Sequence, residues 1–138
     1  MGMLSRLFGL GNSPVVLAGL RASDDEFDIV GESDYQAALG LMAGGKTEEG
    51  VDHECDAQLV PERGNPYDAN AVAVKIEGET IGYLSRENAK VYRQRMGKQI
   101  GACEARIVGG WSRKRGRGVV DAGHFGVKLA IAWPPRKA

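Results

Sequence analysis

The chain has 138 residues with no net charge, and 43% of them are hydrophobic. This size and composition exclude a disordered chain and predict one domain that buries its core without disulfides or metals. No apolar run has transmembrane length and the first residues lack signal-peptide features, so we expect a cytoplasmic protein with no membrane partner.

The charges are divided unequally along the chain. Residues 1–62 carry 12 acids and 3 bases, a net charge of −9, whereas residues 63–138 carry 6 acids and 15 bases, a net charge of +9. This division favours an anionic partner at one face. The alternative is that the two halves neutralise each other in the fold and leave a mixed surface.

The first half of the chain predicts a short arm, two strands and a helix. Residues 1–13 are predicted to be the arm, the apolar stretch 14–20 predicts a first strand, and alternation of Phe27 and Ile29 with acids predicts a second over 25–31. Ser33 and Gln36 have the spacing of a capping box, which predicts that a helix begins there. Gly44 and Gly45 end this helix, and residues 46–52 are predicted to be a polar loop.

The second half predicts five further strands and a second helix. Alternation predicts strands over residues 53–62, 71–77, 80–84, 101–110 and 125–133, with a tight hairpin at 78–79. Ser85 is a predicted cap for a helix over 86–96 that ends at Gly97. A loop rich in Gly and Arg precedes the last strand, and two prolines begin a tail over 134–138.

This order of elements predicts the fold class. About seven short strands, close together in sequence, and two helices favour a mostly β fold, a small antiparallel barrel with helices over its openings. Cys55 and Cys103 lie far apart without metal-ligand spacing, so we expect two reduced, buried thiols.

The stretch "NPYDANAVAV…GETIGYLSRENA", residues 65–89, resembles the HIRAN domain. The family signature is an N-P-Y-D-x-N-A turn, a hydrophobic strand, and then G-x-x-I-G-[YH]-L before a polar or basic helix start. The stretches "VGESDYQAAL" (30–39) and "HFGVKLAI" (124–131) are similar to other parts of the family, so the resemblance covers about residues 14–133. With no helicase or RING segment in the sequence, we expect a stand-alone module like some bacterial members.

The resemblance implies a small OB- or SH3-like barrel that binds single-stranded DNA and captures its 3′-hydroxyl end in repair or replication. It also implies a helicase or nuclease as a candidate partner protein. Two positions depart from the best-known members: Tyr83 replaces a histidine, and Asp34 replaces a basic residue, which weakens one phosphate contact. Motif by motif, the resemblance places the following residues in the site: Tyr35, Asn65, Tyr67, Asp68, Tyr83, Arg86 and Phe125.

The aromatic residues of this set have two interpretations. Tyr35, Tyr67, Tyr83 and Phe125 either offer faces on which bases stack, at roughly 1–3 kcal/mol per base, or belong to the core of the barrel. Tyr67 follows Pro66 in a turn and has little core to enter, so for it the stacking interpretation is favoured.

The polar residues also have two interpretations each. Asp68 either accepts a hydrogen bond from a terminal hydroxyl, as the resemblance implies, or bonds the backbone near Asn70 in an Asx turn. Asn65 either caps the turn or bonds a base edge. Arg86 stands in the first turn of a helix, where the backbone already favours a phosphate.

The basic loop, with Arg113, Lys114, Arg115 and Arg117, either follows the DNA backbone or is a solvated loop, and Trp111 either stacks or anchors it. His53 and His124 are isolated, and a Walker loop, a nucleophile elbow and paired metal carboxylates are all absent from the sequence. We therefore expect no catalytic activity, cofactor or metal. The alternative to DNA binding is a domain whose groove takes a peptide or a partner loop.

Overall fold

The computed structural model describes residues 13–20 and 26–138, so the predicted arm lies outside the described residues except for Ser13. These residues form a seven-stranded sheet, a separate two-stranded hairpin, two α-helices and one 3-10 turn. The sheet contains β1 (Val15–Val16), β2 (Phe27–Asp28), β3 (Val51–Pro61), β4 (Val72–Ile76), β5 (Glu79–Tyr83), β6 (Gly101–Gly109) and β9 (Phe125–Ala130). The other elements are the hairpin β7 (Ser112–Lys114) and β8 (Val120–Ala122), the 3-10 turn Glu32–Tyr35, and the helices α1 (Gln36–Ala43) and α2 (Arg86–Met96).

The large sheet curls into a barrel because one short segment bonds both of its edges. Its strand order is β2-β9-β6-β3-β4-β5, antiparallel throughout, and β1 adds a parallel pair to the start of β6. β2 pairs with β9, and two residues later Val30 exchanges two backbone hydrogen bonds of 2.8 Å with Tyr83 of β5. The predicted class, a mostly β barrel of OB-like character with two helices, is confirmed.

The core lies inside this barrel and follows the alternation of the sequence. Every second residue of β9 is buried, and so are the alternate residues of β6 from Gly101 to Ile107. Helix α2 adds Ala89, Tyr92 and Met96 to the same core cluster as Val72, Val74 and Ile76 of β4. Within the described residues, neither helix is long and apolar enough to cross a membrane.

Helix α1 begins differently from the prediction. The chain first makes a 3-10 turn from Glu32, and no side chain caps either this turn or α1, so the predicted capping box is wrong. The Gln36 side chain instead bonds the backbone of Phe125, accepting from its N–H and donating to its C=O, each at 2.8 Å. Gly44 ends α1 with a positive φ of 84°, as predicted.

Helix α2 agrees with its sequence signals. Ser85 Oγ accepts from the backbone N–H of Asn88 at 3.2 Å, and Gly97 follows the last helical residue. The hairpin before α2 turns one residue earlier than predicted, at Glu77 and Gly78, where φ is 52° and 79°. A two-residue turn of this kind needs positive φ at both central positions, and here one of them is not a glycine.

Two segments predicted to be irregular pair with neighbouring strands. The loop rich in Gly and Arg is the hairpin β7–β8, whose tip lies at residues 115–119. The predicted tail bonds β1, because the N–H of Ala138 donates to Val16 and the N–H of Ala18 donates to Arg136, at 2.9 and 2.8 Å. Strand β3 also begins at Val51, two residues before its predicted start.

Candidate functional site

The N-P-Y-D turn is organised by the Asn65 side chain. Its Oδ1 accepts two backbone N–H groups, from Tyr67 at 2.8 Å and from Asp68 at 3.1 Å. This is the Asx-type turn that an asparagine before a proline favours. Of the two interpretations of Asn65, the turn-capping one is therefore observed, and it commits the amide oxygen to the backbone.

Glu62 joins this turn to strand β5. One carboxylate oxygen accepts from Asn65 Nδ2 at 3.0 Å, and the other accepts from the Tyr83 hydroxyl at 3.2 Å. Burial, then the Glu62 charge and hydrogen bond, and then the neighbouring Tyr35 hydroxyl raise the pKa of Tyr83 to about 12. Tyr35 and Tyr83, 48 positions apart in the sequence, thus meet beside the turn.

Asp68 uses one carboxylate oxygen within the turn. Its Oδ1 accepts from the backbone N–H of Asn70 at 2.9 Å, which is the Asx-turn contact. Its Oδ2 has no hydrogen-bond partner among the described residues, and the side chain is half-buried. The same carboxylate can therefore hold the turn through Oδ1 and accept a hydrogen bond from a ligand through Oδ2.

Tyr67 and Arg86 form the exposed side of the site. The Tyr67 side chain is 81% exposed, so it makes little contact with the core. Arg86, the first residue of α2, is also exposed and donates from Nη2 to the Tyr67 carbonyl. This bond holds the guanidinium against the turn, and its remaining N–H groups face solvent at a helix N-terminus.

Helix α2 contributes two bases that the sequence analysis missed. Arg93 is half-buried and donates from Nη2 to the carbonyls of Glu62 and Ala71, at 2.6 and 3.1 Å, so it braces both ends of the turn segment. Lys90 is exposed and, with Arg93, lines a shallow groove of about 350 Å³ beside the turn. The signal was in the sequence, since Arg86, Lys90 and Arg93 are spaced at i, i+4 and i+7 on one helix face.

Phe125 is separate from this group. It is 4% exposed and belongs to the core, with its ring edge 3.4 Å from where a Cβ on Gly40 would stand. The structure therefore places Phe125 under α1 and gives it no free face on which a base could stack. Tyr35 is intermediate, half-buried against the same core while its hydroxyl reaches Tyr83.

The basic hairpin lies away from the turn. β3 meets β4 at Pro61 and meets Gly109 of β6 at Val51, so the hairpin after Gly109 is near the opposite end of β3, about 30 Å along that strand. Arg113 lies 4.7 Å from the centre of the Trp111 ring and donates to the carbonyl of Glu48. Trp111 is therefore an anchor for the hairpin, which is the second of its two interpretations.

The other bases of the hairpin differ in whether an acidic side chain lies close to them. Arg115 lies 3.4 Å from Asp121 on the facing strand. Lys114 and Arg117 are exposed and make no ion pair within the described residues. The hairpin is thus a hydrogen-bonded, solvent-facing cationic surface. It is separate from the N-P-Y-D turn.

Apart from the groove beside Lys90 and Arg93, the larger grooves described for this structure lie away from the turn and have an acidic lining that is unsuitable for a polyanion. One groove of about 850 Å³ is open along the outer face of the sheet, and its charged lining is Asp56, Glu77 and Glu104 with a single lysine, Lys75. Within residues 13–20 and 26–138, no group of three or more His, Cys, Asp or Glu side chains could hold a metal ion. The N-P-Y-D turn is a shallow surface, which suits a flexible strand end better than a buried small molecule.

These features define a class of protein. It is a small curled barrel with a surface at one end that consists of tyrosines, a carboxylate with one oxygen available to a ligand, and a basic helix. The model of the HIRAN domain matches residues 30–115, which is more than half of the chain. The chain belongs to the HIRAN domain family, a family of DNA-binding modules that are generally non-catalytic. No curated protein and no solved structure matches it.

We refer below to the N-P-Y-D site, defined by side chains from the N-P-Y-D turn, the 3-10 turn, the end of β3, β5 and α2: Tyr35, Glu62, Asn65, Tyr67, Asp68, Tyr83 and Arg86.

Proposed function

We propose that this chain binds single-stranded DNA and captures a 3′-hydroxyl end at the N-P-Y-D site, in repair or replication. The observation that carries the proposal is Asp68, which keeps one carboxylate oxygen without a partner from residues 13–20 and 26–138, close to the exposed cation Arg86. A carboxylate repels an interior phosphodiester, but it accepts a hydrogen bond from a hydroxyl. A strand end is the part of a DNA molecule that offers such a hydroxyl.

Stacking and phosphate contacts complete the proposed complex. The face of Tyr67 is open, so the terminal base stacks on it at a gain of roughly 1–3 kcal/mol. Arg86 at the start of α2 contacts the last phosphate, and Lys90 one helical turn later contacts the next. The strand therefore runs from the turn along α2.

The basic hairpin has a different part in this proposal. Its distance from the turn means that it contacts DNA further from the end, through the phosphates alone. Arg113 and Lys114 then add affinity for any strand that is long enough, without a preference for the chemistry of the end.

The decisive experiment titrates the protein into three labelled DNA probes of one sequence: a single strand with a 3′-hydroxyl, the same strand with a 3′-phosphate, and a blunt duplex. Fluorescence anisotropy measures the binding. We expect the 3′-hydroxyl strand to bind tightest and its affinity to fall steeply with salt. Equal affinities for the hydroxyl and phosphate ends would refute end capture. Affinity that does not respond to salt would instead indicate a protein or peptide ligand.

Two matched variants assign the roles. Tyr67→Ala removes an exposed side chain, so folding is retained and we expect a loss of about 5-fold to 150-fold in affinity for the 3′-hydroxyl strand. Asp68→Asn keeps the acceptor for Asn70 but removes the charge, so we expect the 3′-phosphate strand to bind more tightly. Arg113→Ala is the control, with equal losses for every strand.

A further inference from the structure

We propose that Glu62 sets the hydrogen-bonding polarity of the N-P-Y-D site, by accepting the hydrogen bond of the Tyr83 hydroxyl and leaving the Tyr83 oxygen as an acceptor for the strand end. This inference rests on the proposed capture of a 3′-hydroxyl. It assigns a specificity-determining role to a residue that the site motif does not contain.

The contacts of Glu62 fix the direction of both hydrogen bonds. A carboxylate has no hydrogen to give, so at each of its contacts the partner must be the donor. At 3.2 Å the Tyr83 hydroxyl therefore points its single hydrogen at Glu62. The lone pairs of the Tyr83 oxygen remain, one beside the Tyr35 hydroxyl and one for a ligand, and they can only accept.

Asp68 and Asn65 add no donor aimed at the strand end, so the donors of the site are the Tyr35 hydroxyl and the guanidinium of Arg86, which serves the phosphate. The Oδ2 of Asp68 is an acceptor without a partner among the described residues, and the amide of Asn65 has its oxygen committed to two backbone N–H groups. Asp68 and Tyr83 thus each present an acceptor to a ligand. A terminal hydroxyl supplies the hydrogen that such a site requires, whereas a phosphate dianion has none to donate.

The variant Glu62→Gln reverses this polarity while nearly preserving shape. The Asn65 amide nitrogen faces position 62 at 3.0 Å and must meet an acceptor, because its own oxygen is held by the turn. The glutamine oxygen therefore turns toward Asn65, and the glutamine NH₂ turns toward Tyr83. The Tyr83 hydroxyl then accepts from residue 62 and directs its own hydrogen at the ligand.

The test compares three strand ends, a 3′-hydroxyl, a 3′-deoxy end and a 3′-phosphate, on four proteins. These are the natural chain, Glu62→Gln, Tyr83→Phe and the double variant. In the natural chain we expect the order hydroxyl, deoxy, phosphate. In Glu62→Gln we expect the ratio of phosphate to hydroxyl dissociation constants to fall by about threefold to tenfold, because a donor replaces an acceptor.

The double variant separates polarity from charge. Glu62→Gln also removes a negative charge, and this effect persists when Tyr83 is phenylalanine, whereas the polarity effect does not. We expect the effect of Glu62→Gln on the ratio to be at least halved in the Tyr83→Phe background. An undiminished effect would overturn the polarity proposal.

Two further results would also count against it. If Glu62→Gln weakens all three ends by the same factor, Glu62 only supports the turn, and the proposal fails while end capture stands. If the natural chain does not distinguish the three ends, the proposed function fails first and the role of Glu62 fails with it. Tyr83→Phe by itself should lower the preference for the hydroxyl end, so the proposal is open to refutation even if Glu62→Gln does not fold.

Discussion

Replacing Asn65 by alanine removes three hydrogen bonds at one point of the chain. The amide oxygen accepts two backbone N–H groups, and the amide nitrogen donates to Glu62. A protein hydrogen bond contributes about 0.5–1.5 kcal/mol net, which gives an upper range of about 1.5–4.5 kcal/mol for the three. Water replaces part of this because the turn is half-exposed, so we expect a loss of about 2 kcal/mol in the free energy of unfolding.

Urea denaturation followed by circular dichroism measures this loss. We expect the midpoint to fall and the slope to stay constant, since the surface exposed on unfolding is nearly unchanged. Asn70→Ala is the matched control, because Asn70 enters the turn only through its backbone N–H and its side chain makes no hydrogen bond within the described residues. A change below about 0.5 kcal/mol for Asn65→Ala, or equal changes for both variants, would refute the assignment of turn stability to the Asn65 side chain.

The remaining predictions concern the hairpin turn, the barrel closure and the thiols. Glu77 has a positive φ of 52°, so Glu77→Asn should stabilise the chain by about 0.5–1 kcal/mol in thermal denaturation, and a lower melting temperature would contradict the strain argument. A Cβ on Gly82 would stand 2.7 Å from Ile29 and 2.9 Å from the carbonyl of Val30, so Gly82→Ala should cost about 2 kcal/mol or more, whereas Gly116→Ala in the open tip should cost less. Burial raises the pKa of Cys103 to about 12 and shields its sulfur, so at pH 8 it should be alkylated far more slowly than the half-buried Cys55; equal rates would indicate that β6 opens.

Alternation and caps were enough to predict most of the fold. Ser85, the alternating residues of β4 and the glycine after each helix all produce the elements that they indicate. These signals are local, so they can be read in a short window of sequence. The capping box at Ser33 failed because Gln36, its second member, bonds the backbone of a strand 89 residues away. A contact at that separation leaves no trace in a local pattern.

In the candidate site too, local motifs could be predicted from the sequence and long-range contacts could not. Tyr67 and Asp68 lie in the motif and were found by resemblance, whereas Glu62 ends a strand and has the appearance of an ordinary surface acid. Its contact with Tyr83 spans 21 residues and exists only when β3 and β5 join the same barrel. Of the two interpretations of Phe125, burial in the core is observed, and its period-2 spacing with Val127 and Leu129 already favours it.

The segment from Phe27 to Val30 has a consequence for self-association. Unpaired strand edges are where β proteins begin to add strands from other chains. Here β2 covers one edge of the sheet at Lys128 and Leu129, and Val30 covers the other at Tyr83. Intermolecular pairing at these positions must first displace a segment whose own Ile29 side chain is buried in the core. The free energy of releasing these four residues therefore sets a barrier to aggregation that is separate from global unfolding.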